Sequence, residues 1–85
     1  MNPDRVLTEI YVPAIGRSFD IWLPLKSTMG EVTILVSRLV GELSDGQFRG
    51  TDDTVLADRV TGKIFDGGST IESLGIRNGS RLMLF

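Results

Sequence analysis

The sequence predicts an α+β domain: a mixed sheet of four to five strands with one main helix packed on one face. Three observations carry this expectation. Residues 18–23 alternate apolar and polar side chains with period two, as a half-buried strand does. Residues 29–43 place apolar side chains along one stripe at helical spacing. Beyond residue 53 the apolar runs are short and broken by turn residues, leaving no room for a second long helix. A striped helix and a one-faced sheet cannot bury their apolar sides alone, so they must pack together.

Val6 to Val12 reads as the first strand, with Val6, Thr8, Ile10 and Val12 inward and Leu7 and Tyr11 on the other face. Pro13 to Arg17 is a turn in which Gly16 is free to take positive φ. Ser18 to Leu23 is the second strand: Phe19, Ile21 and Leu23 face inward, and Ser18, Asp20 and Trp22 face outward. The two form an antiparallel hairpin. Pro24 has no amide to donate to a ladder and ends the second strand.

Thr28-Met29-Gly30-Glu31 fits a capping box, in which the threonine hydroxyl accepts from the Glu31 amide and the glutamate reaches back. The helix it opens carries Met29, Val32, Leu35, Val36, Leu39, Val40 and Leu43 on its apolar stripe and ends at Ser44-Asp45-Gly46. Gln47 to Asp53 is polar and contains glycine, so it reads as a loop. Thr54 to Ala57 reads as a third strand, Asp58 to Gly62 as a turn and Lys63 to Phe65 as a short fourth strand. Thr70 to Leu74 is a helical turn, and Arg81 to Phe85 the last strand. The order ββαββαβ is the β-grasp plan, and residues 1–85 form one such domain.

Composition excludes several function classes. The 85 residues include no cysteine and no histidine, which removes thiol chemistry, thiolate metal sites and the commonest general base near neutral pH. Net charge is −2 with both signs mixed, so there is no basic field for nucleic acid and no polybasic segment for an anionic membrane. No apolar run approaches the ~18 residues that cross a bilayer, and no signal-peptide pattern opens the chain, so a cytoplasmic location without membrane insertion is expected.

Gly62 to Phe85 resembles the C-terminal third of ubiquitin-like proteins: a short strand, a turn, one helical turn ending in Gly75-Ile76, a polar turn and a final strand. Two motifs narrow the resemblance. Phe19-Asp20-Ile21-Trp22-Leu23-Pro24 is similar to the second strand of YukD/EsaB proteins, and Leu74-Gly75-Ile76-Arg77-Asn78-Gly79-Ser80-Arg81-Leu82 is similar to their ending. Ser80 stands where that family often has an acid, and the loop from Gln47 to Asp53 matches none of its features. The resemblance implies a last strand placed centrally and parallel to the first. It implies a non-enzymatic component of a type VII secretion system, binding the secretion ATPase or a membrane component, with no cofactor and no covalent conjugation. A homodimer remains open. A sulfur carrier or protein modifier is disfavoured because no diglycine follows the last strand; a ubiquitin-like domain of a larger scaffold is the other alternative.

Ubiquitin-like domains usually bind partners through the outer sheet face. Here that face should carry Trp22, Met83 and Phe85, residue types enriched at interfaces. A second candidate is the helix face opposite the apolar stripe, where Gly30, Ser37 and Gly41 surround Ile34. Other motifs read as ordinary structure. Asp66-Gly67-Gly68 lacks the lysine and strand-to-helix context of a phosphate loop and is a tight turn. Asp45, Asp52, Asp53 and Asp58 fit no calcium-loop spacing. Lys26 and Lys63 read as exposed surface lysines. No catalytic, cofactor or metal-binding residue is assigned.

Overall fold

Hydrophobic alternation sets the strand register. The computed structural model describes residues 4–85; residues 1–3 of the expected domain lie outside the described residues. The elements are β1 (Arg5–Val12), β2 (Arg17–Pro24), α1 (Met29–Leu43), β3 (Leu56–Asp58) and β4 (Arg81–Leu84). β1 and β2 pair antiparallel along their whole length, with Thr8 opposite Ile21 and Leu7 opposite Trp22. β4 lies beside β1 and parallel to it, β3 is antiparallel to β4, and the sheet order is β2-β1-β4-β3. The central, parallel placement of the last strand matches the expectation.

The inward sets of both hairpin strands are buried: Val6, Thr8, Ile10 and Val12 from β1, and Phe19, Ile21 and Leu23 from β2. Thr8 is the polar member, and its hydroxyl donates to the Ile21 carbonyl at 2.9 Å, so burial leaves no unpaired group. Met29, Val32, Val36 and Val40 of α1 close the core from above, with Leu82 and Leu84 of β4 below.

Both ends of α1 are fixed locally. The capping box is present: the Glu31 amide donates to the Thr28 hydroxyl at 3.3 Å and the Thr28 amide donates to the Glu31 carboxylate at 2.9 Å. At the other end the Asp45 amide donates to the Glu42 carbonyl and the Gly46 amide to the Gly41 carbonyl, a Schellman closure. That closure puts Asp45 in the left-handed region at φ 54°.

Three expectations need correction. Leu35 and Leu43 are 39% and 54% exposed, because the buried arc is narrower than the stripe and centres on Met29, Val32, Val36 and Val40. The third strand is Leu56–Asp58 instead of Thr54 to Ala57. Lys63 to Phe65 makes a single bridge, Ile64 to Ala57, instead of a strand, and Ile64 is exposed. Thr70 to Leu74 is the single helical turn expected: the Leu74 amide reaches the Thr70 carbonyl, and Gly75 at φ 76° diverts the chain before a helix can continue. The loop from Gln47 to Asp53 is a loop, yet Phe48 within it is buried against the core.

Candidate protein-binding face

The outer face of the sheet is built by the strand positions that alternate with the core. β2 contributes Asp20 and Trp22, β1 contributes Arg5, Leu7, Glu9 and Tyr11, and β4 contributes Arg81 and Met83. These residues fall into rows across the strands. Trp22 stands opposite Leu7, with the Arg5 guanidinium 6.0 Å from the indole centroid. The next row holds Asp20, Glu9 and Arg81, and the row after it Tyr11, Met83 and Ala57.

Trp22 is therefore separated from Met83 by a charged row. The register places them about 13 Å apart along the strands and about 10 Å apart across them. Met83 and Phe85 lie together at the far end, where the Phe85 amide donates to the Val55 carbonyl and the Val55 amide donates back. Trp22 is 48% exposed, Phe85 46%, and Met83 is half-buried. Ile34 lies on α1, which packs on the inner face, and so does not share this surface.

Sequence reasoning missed the role of Arg59. Its guanidinium stacks 4.2 Å from the Tyr11 ring centroid and donates to the Glu9 carboxylate at 3.0 Å. It bridges the charged row to the apolar one. Only the partnering of the edge strand with β4 could have shown this, because residue 59 lies beyond the last β3 position. Val60, 79% exposed, also escaped notice.

The flank of the helix around Ile34 has a specific architecture. A groove of about 630 Å³ runs between α1 and the segments 50–56 and 65–67, with Met29, Ile34, Val55 and Phe65 among its apolar lining. The chain's own loops run against the small helix residues, tightly at Gly30 and at ordinary contact distance at Gly41. A β-carbon at Gly30 would stand 3.2 Å from the Gly67 carbonyl oxygen, and one at Gly41 3.5 Å from the Phe48 carbonyl oxygen. The Asp66-Gly67-Gly68 segment is a tight turn that also caps the helix. Its Gly67 carbonyl and the following Ser69 carbonyl accept from the Gly30 and Met29 amides at 2.9 and 2.8 Å. Those first-turn amides would otherwise lack partners. Among the described residues no three His, Cys, Asp or Glu side chains gather into a metal-binding group, and no helix is long and apolar enough to cross a membrane.

Residues 7–84 match the family model described as the WXG100 protein secretion system (Wss), protein YukD. The chain belongs to the YukD family. This ties it to type VII secretion and bears out the family resemblance. No curated protein matches the sequence. Among solved structures, the ubiquitin-like domain of EccD5 from Mycobacterium xenopi is similar, with TM-score 0.72 and 15% identity over 98% of this chain and 94% of that one. Caldiarchaeum subterraneum ubiquitin is also similar, with TM-score 0.68 and 22% identity over 94% and 90%. A chain of an ESX-5 inner membrane complex matches with TM-score 0.73 and 15% identity; the match covers 98% of this YukD-family chain but only 21% of that chain. At these identities the likeness shows a shared ubiquitin-like β-grasp fold.

Proposed function

We propose that this YukD-family chain is a non-enzymatic, cytoplasmic protein-binding module of a type VII secretion system. It docks the outer face of its sheet on a larger component, the secretion ATPase or a membrane subunit. The observation that carries this reading is Trp22. Its indole stands on a paired strand opposite Leu7, half-exposed and outside the core. Aromatic residues in such positions are the usual anchors of interfaces. The charged row of Asp20, Glu9 and Arg81 would set orientation across the face, while Met83 and Phe85 form a second apolar contact at its other end. In this reading the module acts by non-covalent docking.

The test is calorimetric titration of Trp22→Ala against purified cytoplasmic parts of the secretion machinery, with thermal melting as the folding control. Truncating an interface anchor weakens binding by about thirtyfold or more. Wild-type affinity in a folded variant would contradict the reading.

A further inference from the structure

The sheet has one covered edge and one open one. On the β3 side, segment 63–65 closes the edge: the Asp58 amide donates to the Lys63 carbonyl and the Phe65 amide to the Leu56 carbonyl. β2, at the other edge, runs for eight residues beside β1 alone. Its free hydrogen-bonding groups follow from the pairing. The Leu7 carbonyl accepts from the Gly79 amide and the Glu9 amide donates to the Ser80 carbonyl, so Leu7 and Glu9 aim their backbones toward β4. Their cross-strand partners Trp22 and Asp20 are then the non-hydrogen-bonded pairs, whose amides and carbonyls point away from β1. By the same alternation Ser18 points outward too. Among the described residues nothing pairs with this row.

A second observation lies beside it. Gly30, Ser37 and Gly41 meet the loops that lead into and out of β3, so that flank of α1 faces the covered edge. The opposite flank carries Leu35, Leu39 and Leu43, one helical turn apart, and of the strands the helix approaches β2 most closely. Two of these leucines are more than a third exposed. An open strand edge and a row of leucines, of which Leu39 packs against the core and Leu35 and Leu43 stay exposed, thus lie on neighbouring elements.

We propose that this open edge binds an extended segment of a partner protein, added as a fifth strand antiparallel to β2. Side chains of such a strand alternate between faces. Those opposite Ser18, Asp20 and Trp22 lie on the outer face, and a basic residue opposite Asp20 meets its complement. The side chains between them point to the helix side and cover the leucine row, so they are apolar. A second copy of this chain is a poorer occupant, since antiparallel β2 pairing centred on Asp20 sets two carboxylates directly opposite. The site uses the backbone of Trp22, whereas the proposed sheet-face interface uses its indole, so the two fail separately.

The test uses a synthetic peptide, Lys-Val-Thr-Val-Lys-Val-Thr, titrated into isotope-labelled protein. Saturable protection of the Ser18, Asp20 and Trp22 amides from solvent exchange below about 1 mM peptide is expected. Asp20→Pro removes one outward donor, and with it the carboxylate that meets the peptide lysine, without touching the β1 ladder, a place where edge strands accept proline. It should weaken binding at least about tenfold while the melting temperature holds. If that variant does not fold, N-methylated peptides decide. Methylation at the lysines and threonines should abolish binding, and methylation at the valines should spare it. No saturation, protection elsewhere, equal binding by a folded Asp20→Pro, or equal effects of the two methylation patterns would overturn the proposal. Concentration-dependent protection of these amides without peptide would also overturn it, by assigning the edge to a second copy.

Discussion

Gly50 lies so close to Ser37 that a β-carbon at position 50 would stand 2.9 Å from the Ser37 β-carbon. The loop after α1 folds back along the helix, and this contact sets how near it comes. The loop in turn carries Phe48 into the core and walls the groove beside Ile34.

Gly50→Ala should therefore destabilise the fold by about 1–3 kcal/mol through overpacking. Ser37→Gly removes the opposing β-carbon and should relieve part of the loss. A double-mutant cycle by urea denaturation should show coupling of at least about 0.5 kcal/mol. Additive effects would mean that the loop moves away freely.

Phe48→Ala should destabilise by about 3–5 kcal/mol, the range for a buried phenylalanine. Leu43→Ser, at an exposed position on the same helix-and-loop unit, should change stability by less than about 0.5 kcal/mol. Chemical denaturation of both variants checks the pair; the reverse ranking would return Leu43 to the core.

Asp45→Gly should stabilise the protein by about 0.5–1 kcal/mol. The gain is relief of the left-handed conformation at the Schellman position, less the larger unfolded-state entropy of glycine. Thermal melting reads the sign directly.

Glu31 has its carboxyl held below the ordinary value of 4.5, first by the hydrogen bond from the Thr28 backbone amide and then by the Thr28 hydroxyl. A depressed folded-state value means that the contribution is present above the unfolded value and lost as pH falls through the folded one. Wild type should exceed Glu31→Gln in stability at neutral pH, and the two should converge under acid conditions. Denaturant midpoints across that range test it; a constant difference would mean that ionisation of Glu31 is irrelevant to the cap.

Much of this is legible in the sequence where local rules act alone. The capping box, the helix bounds and the inward sets of β1 and β2 follow from side-chain spacing, and the structure holds all of them. What is not legible depends on distant partners. Phe48 sits in a polar stretch, and only the close approach of its loop to Gly41 and Ser37 buries it. Leu35 and Leu43 fit the apolar stripe in period, but the width of the buried arc is set by the sheet beneath. Lys63 to Phe65 has strand composition and becomes edge cover instead. In the candidate face, the outward direction of Trp22 is readable from parity, whereas its separation from Met83 and Phe85 requires the parallel register of β1 with β4.

Site-specific photo-cross-linking in the assembled secretion complex tests the central claim most directly. A photoreactive phenylalanine analogue replaces Trp22, Met83 or, as the control on a surface outside the outer face, Gln47. The account predicts cross-links to one and the same secretion component from positions 22 and 83, and none from position 47. Cross-linking from position 47 with none from 22 and 83 would contradict docking through the outer sheet face.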